Sequence, residues 1–204
     1  MTQLVEYNCA ENVATITLNN GKVNAFSHEM IDQLNAALDS ALVDEAVVVI
    51  KGQPGMFSAG YDLSVMQQSM DAAMKLVEKG STLTRRMLAF EYPIIAACTG
   101  HAIAKGAFVL LASDYRIGIQ GTFKIGLNEV AIGMTMHQAG LELARGRLAP
   151  VFFNRSVILA EMVSVDDAVT AGFLDVAVTP EAFEQTVAAT AQAMTKLNMK
   201  AHRQ

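Results

Sequence analysis

The spacing of apolar positions changes several times along this chain, and each change marks an element. Val13-Ala14-Thr15-Ile16-Thr17-Leu18 alternates with the period of a strand, and Asn19-Asn20-Gly21 ends it. Ser27 then stands where a helix N-cap belongs, with Glu29 in the first turn, and Ile31, Leu34, Ala37, Leu38 and Ala41 follow at helical spacing. Ala46-Val47-Val48-Val49-Ile50-Lys51-Gly52 and Pro93-Ile94-Ile95-Ala96-Ala97-Cys98 are short apolar runs of buried-strand type, and Tyr115–Ile119 reads as another strand. A helix is expected from Leu63, carrying Val65, Met66, Met70 and Met74 into Leu76, and a further one near Leu83–Phe90 that ends before Pro93. Gly106–Ala112 forms a short apolar helix, and 136–160 is helical with a break near Pro150. Ser164-Val165-Asp166-Asp167 starts a helix that Gly172 stops, Leu174–Val178 is a last strand, and Pro180 opens a helix to the end of the chain. Strands alternating with helices predict an α/β fold with largely parallel pairing. No repeat, low-complexity tract or linker interrupts the pattern.

Bulk properties narrow the function classes. A chain of 204 residues suits one domain with a sizeable core. With 52% hydrophobic and 17% charged residues it is expected to pack well, with much buried or oligomeric surface, and not to be disordered. A net charge of −5 gives no reason to expect nucleic acid or an anionic membrane as partner. Cys9 and Cys98 have neither disulfide-framework nor metal-ligand spacing; both read as small hydrophobes, and a cytoplasmic, reducing location fits them. The N-terminal residues lack the regions of a signal peptide, and no apolar run is long enough to span a bilayer.

The chemistry concentrates in Phe57-Ser58-Ala59-Gly60-Tyr61-Asp62-Leu63, between a buried strand and a helix. Small residues and a glycine let backbone approach a ligand closely. The first N–H groups of a helix have no partner within it, so they suit a carbonyl oxygen that gains negative charge during reaction. A plain strand-to-helix turn would carry the same residues. Asn24-Ala25-Phe26-Ser27, Gly100-His101-Ala102-Ile103-Ala104-Lys105-Gly106-Ala107-Phe108, Ser113-Asp114-Tyr115-Arg116-Ile117 and Ile125-Gly126-Leu127-Asn128-Glu129-Val130-Ala131-Ile132-Gly133-Met134 complete an ordered set.

That set resembles the crotonase (enoyl-CoA hydratase/isomerase) superfamily, from about Val13 to the last residues. The resemblance implies a spiral of ββα units over about 1–178 of a single domain. A C-terminal helical trimerisation segment would follow over 179–204, apparently short here, since family members usually continue with a further helical segment. It also implies a homotrimer or dimer of trimers, an acyl-CoA thioester as substrate, and no metal or other cofactor.

Carried over by motif, the thioester oxygen is held by the N–H groups of Tyr61 and Lys105, with Gly106 as the alternative second donor. Each such donor is worth roughly 3–4 kcal/mol in the transition state. Family members usually have glycine at the Lys105 position; lysine would be strained there if φ had to be positive, and its side chain reads equally as a solvated loop lysine. CoA contacts fall on Val23, Ala25, Ala59 and Tyr61, with Lys22 a possible phosphate partner or an exposed turn lysine. Of the carboxylate pair that the hydratases use, one position is Phe108 and the other Glu129. Hydration needs paired acid and base work on water, whereas moving a double bond from C3 to C2 needs one base that takes a proton and returns it. Gly126-Leu127-Asn128-Glu129 also looks like the Glu-bearing segment of mitochondrial Δ3,Δ2-enoyl-CoA isomerases. The expectation is therefore an isomerase with Glu129 as its single base; another crotonase-type reaction such as hydration, or a non-catalytic acyl-CoA-binding subunit, are the rivals. Met66, Met70 and Met74 form a stripe that is either core or, with Phe108, the wall of an acyl pocket. Asp62 reads as a helix cap, and His137 and Glu142 as polar residues within reach of the pocket.

Overall fold

The computed structural model describes Thr2–His202. A hairpin opens the fold: β1 (Val5–Ala10) and β2 (Val13–Leu18) pair antiparallel around Glu11 and Asn12, both at positive φ. Positive φ at both central residues gives the turn the twist of the flanking strands. The sequence reading has no strand at β1, because its polar residues face solvent at the edge of the sheet. Helix α1 (His28–Val43) is capped by Ser27, whose Oγ accepts from Met30 N–H at 3.1 Å, and it buries Ile31, Leu34, Leu38 and Ala41 as expected.

The chain then repeats one unit: a buried strand, a short second strand, and a helix or turn. The first unit is β3 (Val47–Lys51), β4 (Gly55–Ser58), the single turn α2 (Leu63–Met66) and α3 (Met70–Leu88). Next comes β5 (Ile94–Cys98), β6 (Gly100–Ile103) and α4 (Lys105–Leu111). The third is β7 (Tyr115–Ile119), β8 (Lys124–Gly126), a 3₁₀ turn at Val130–Ile132 and α5 (Gln138–Arg147). Helix α6 (Pro150–Val157), β9 (Val163–Ser164), α7 (Val165–Ala171), β10 (Val176–Val178), α8 (Pro180–Met194) and α9 (Met199–His202) follow.

Each unit gives its first strand to one sheet and its second to another. The larger sheet runs β1-β2-β3-β5-β7-β10, parallel from β2 onward; the smaller runs β4-β6-β8-β9, with β4, β6 and β8 parallel. This is the ββα spiral. The continuous apolar runs of β3 and β5 follow from burial on both faces: Val48, Ile50, Ile94 and Ala96 enter the main core, while Val47, Val49, Ile95 and Ala97 pack beneath Phe183, Val187 and Ala191 of α8.

Three expectations are corrected. The two helices expected between Leu63 and Phe90 are redrawn as the turn α2 and one long α3, since nothing but Gly80 interrupts the stripe between Leu76 and Leu83. The terminal helix stops at Met194 and restarts as α9, and its expected last residues, 203–204, lie outside the described residues. Leu174 and Asp175 precede the last strand, because Asp175 binds Arg116 through both carboxylate oxygens at 2.8 and 2.7 Å. Arg116 also donates to Gly172 O at 2.8 Å and is almost wholly buried. Arg116→Ala should lower unfolding stability by about 3 kcal/mol, measured in urea, because it strands a partly buried carboxylate.

No helix among the described residues is long and apolar enough to cross a membrane.

Candidate active site

Strand register assembles the site. In the small sheet Ser58 pairs with Ala102, so Tyr61 and Lys105 each lie three residues beyond paired positions. Ile103 pairs with Gly126, which brings Asn128 and Glu129 to the same end. All three segments leave the C-terminal ends of neighbouring parallel strands, where ligands of parallel sheets gather. The two segments stay side by side past the strand ends: a Cβ on Gly60 would lie 3.5 Å from Lys105 N.

Neither N–H takes a hydrogen bond among the described residues. Around Tyr61 the bonds run from Phe26 N–H to Gly60 O at 2.8 Å and from Asp62 N–H to Phe26 O at 3.1 Å, leaving the Tyr61 N–H over. Lys105 is the first residue of α4, whose first internal bond from the start of the helix is Phe108 N–H to Ala104 O. The positive φ foreseen for the lysine falls one residue earlier, on Ala104 at φ 50° and ψ −117°. A non-glycine residue in such a conformation is held by its surroundings at a cost of order 1–3 kcal/mol. The lysine itself is unstrained, so its side chain is no obstacle to its N–H serving as donor. Gly106 lies behind it: a Cβ there would come within 2.5 Å of Ser58 O.

The loop holding Tyr61 is fixed from below. Asn24, fully buried, donates to Met56 O and Phe57 O at 3.2 Å each, and Ser58 Oγ donates to Asn24 O at 2.7 Å while accepting from Gly60 N–H at 3.2 Å. Asp62 caps α2 by accepting from Ser64 N–H at 2.8 Å.

A cavity of about 700 Å³ opens over these groups. It is lined by Met66, by Met70, Met74 and Val77 of α3, by Ala59, Tyr61 and Ala104 beyond the ends of β4 and β6, and by Asn128, Glu129 and Ile132 beyond β8. Glu129 is only 7% exposed, and its Oε2 has no hydrogen-bond partner among the described residues. Burial pushes its carboxyl up to about 6, a base range suited to proton transfer near neutrality. The same burial, with the Glu129 charge nearby, raises the Tyr61 phenol. A second carboxylate, Glu78, stands exposed at the cavity wall; the sequence offered no sign of it, since it reads as one of the charged residues on the outer face of a helix.

Lys105 overturns the solvated reading of its side chain. It is 1% exposed, and Nζ donates to Gly80 O at 2.6 Å and to Thr84 Oγ1. Burial pulls its ammonium down to about 7. Beside it a small cavity of about 20 Å³ is bounded by Tyr61, Thr84, Phe108 and His137. Phe108 therefore lines this inner space and not the larger cavity; it packs against His137 with ring centroids 5.6 Å apart. His137 caps α5, its Nδ1 accepting from Gly140 N–H at 3.0 Å, so Nε2 carries the proton of the neutral ring. Burial and Lys105 both hold its pKa down. Glu142 points to solvent, where it accepts from Gln138 at 2.8 Å.

The sequence matches the description "Enoyl-CoA hydratase/isomerase" over residues 8–204. This chain belongs to that family. A crystal structure of an enoyl-CoA hydratase/isomerase family protein from Pseudomonas syringae is 58% identical, with a TM-score of 0.96 over 98% of this chain and 87% of that one. The human mitochondrial Δ3-Δ2-enoyl-CoA isomerase is 26% identical, with a TM-score of 0.92 over 98% of this chain and 81% of that one. A probable enoyl-CoA hydratase of Bacillus subtilis is 33% identical over 135 residues, 64% of this chain. The chain spans about half the length of that relative, 52%.

Of the positions where the family resemblance puts CoA, Ala59 and Tyr61 line the larger cavity. Lys22 and Val23 are exposed and Ala25 half-buried on the adjoining loop, which is tied to the site by the Ala59 N–H to Val23 O bond at 2.9 Å. Ala104 and Glu78 are the site residues that sequence reasoning passed over.

Proposed function

We propose that this enoyl-CoA hydratase/isomerase family member moves a double bond of an acyl-CoA from C3 to C2. The observation that carries the reading is one buried carboxylate with an unpartnered oxygen, Glu129, lining an apolar cavity that Tyr61 and Ala104 also line, Tyr61 carrying one unpartnered backbone N–H and Lys105, next after Ala104, the other. The thioester oxygen accepts from the N–H groups of Tyr61 and Lys105. Ionised Glu129 takes a proton from C2, the negative charge moves onto that oxygen as an enolate, and the protonated Glu129 returns the proton at C4. The double bond ends conjugated to the thioester, and no atom is gained or lost. Preorganised donors stabilise the enolate, and a single carboxylate is enough for both transfers.

Hydration is the second reading, and Glu78 is what favours it: a second carboxylate on the cavity wall could hold a water. Relatives carry both hydratase and isomerase names. Incubation with a 3-enoyl-CoA should produce the absorbance of a conjugated thioester without a change of mass. Gain of one water from a 2-enoyl-CoA, lost in Glu78→Gln, would replace the isomerase reading with the hydratase one.

A further inference from the structure

Tyr61, which lines the large cavity, and Lys105, which follows the cavity-lining Ala104, both send their side chains to the same stretch of α3. The Tyr61 hydroxyl donates to Val77 O at 3.4 Å, and its ring lies so close to Gly80 that a Cβ there would sit 2.1 Å from the hydroxyl oxygen. Lys105 Nζ donates to Gly80 O and to Thr84 Oγ1, while Thr84 Oγ1 donates to Gly80 O at 2.8 Å. The other face of that stretch carries Val77 and Ser81 into the large cavity, with Ala73 and Met74 one turn earlier. Ala104, the strained joint between β6 and α4, immediately precedes Lys105.

A buried amine is a costly filler for this space, since a methionine of similar length would fill it without desolvating a polar group. Its two acceptors fix where the side chain ends. We propose that the Lys105 side chain is a positioning residue that ties the strained Ala104–Lys105 peptide to the Val77–Thr84 stretch of α3, so that an acyl chain seated on that stretch sets the aim of the Lys105 N–H. This rests on the acyl-CoA reading above and is independent of which reaction follows. It gives Lys105 two separate contributions: a backbone donor that any residue except proline could supply, and a side chain that couples pocket occupancy to donor geometry.

Lys105→Met tests it. The variant keeps the backbone N–H, and Thr84 still has Gly80 O as partner, so no polar group is orphaned. The readout is a dialkylamino-cinnamoyl-CoA, whose absorbance moves to longer wavelength as its thioester carbonyl is polarised. Wild type should bind it with a red shift; Lys105→Met should bind it within about twofold of wild type and lose roughly half of the shift or more. Turnover should fall roughly tenfold to a hundredfold with KM nearly unchanged, and most for long acyl chains, which reach α3. Thr84→Val should move the same readouts in the same direction by less, and far-UV circular dichroism reports whether either variant is folded. An unchanged red shift in both folded variants, or a loss equal for short and long chains, overturns the proposal. A wild-type protein that binds the probe without a red shift overturns the donor-pair reading together with it. A wild type that shifts the probe but does not isomerise 3-enoyl-CoA removes only the assigned reaction.

Discussion

Glu129→Gln should abolish most turnover of 3-enoyl-CoA, by about 10²- to 10⁴-fold in kcat, because a positioned base contributes that much and no second group replaces it in both transfers. KM should change little, since the carboxylate lines the cavity beside Asn128 and the proposed reading gives it proton transfer and not CoA binding. The pH dependence is set by the same burial. The working form is the carboxylate, so kcat/KM should rise with pH through about 6 and then level off. Stability must move the other way. The folded-state value lies above the ordinary value of 4.5, so the folded protein binds the extra proton between those limits. The resulting stability is fully present below pH 4.5 and is lost as pH rises through 6. Gln cannot ionise and escapes that loss. Between pH 4 and pH 8 the stability of Glu129→Gln relative to wild type should therefore improve by about 2 kcal/mol, read from urea unfolding at each pH. Lys105 titrates in both proteins and cancels from the difference. A variant that is inactive but gains nothing at high pH would mean that Glu129 is solvated in the folded protein, and with it the raised base range would go.

The fold was legible where strands are long and wholly buried. Continuous apolar runs at β3 and β5, the alternation of β2 and the stripe of α1 follow directly from burial, and each appears where the pattern puts it. The second sheet was not legible as strands. β4, β6 and β8 are three or four residues long, carry Gly55, Gly100 and Gly126, and show no usable period. Their glycines reflect close backbone packing: a Cβ on Gly100 would lie 2.0 Å from Gly55 C. Yet these strands place the site, because their register aligns Tyr61 with Lys105. For the site, motif order picked out Tyr61, Lys105 and Glu129 as candidates, and an apolar setting that raises the Glu129 carboxyl was expected and is found, while the setting of the Lys105 side chain was read wrongly. A lysine beside a glycine reads as a loop residue; only the approach of Gly80 and Thr84 from α3, more than twenty residues earlier, makes it a buried one. The strain at Ala104 has no local signal either, since alanine ordinarily avoids that conformation and is held there by tertiary contacts.

Gly60→Ala should have the largest combined effect on activity and stability, and its cause is in the same register. Gly60 has φ +104°, and a Cβ there would stand 2.9 Å from Ala104 Cβ, 3.2 Å from Ile103 O and 3.5 Å from Lys105 N. Positive φ alone costs a non-glycine residue roughly 1–2 kcal/mol. The contact adds to it, because the atoms met are backbone and a Cβ, neither of which can rotate away. The end of β4 can relieve the clash only by moving from the start of α4, and that separates the Tyr61 N–H from the Lys105 N–H. A displacement near 1 Å costs about 10²-fold in rate, and loss of one donor about 10²- to 10³-fold. Gly60→Ala should therefore lower kcat at least a hundredfold or so while destabilising the fold by about 2–4 kcal/mol. Ala104→Gly separates the two causes. It removes the 2.9 Å contact and relaxes the strained joint, but leaves the φ penalty at residue 60 in place. The double variant should thus regain part of the lost stability, with a coupling above about 0.5 kcal/mol in a double-mutant cycle. Its turnover should recover less, because an unstrained glycine in place of Ala104 no longer holds the Lys105 N–H in one direction. Full recovery of both would show that steric contact alone spoils the site and that the strain at Ala104 contributes nothing to aiming the donor.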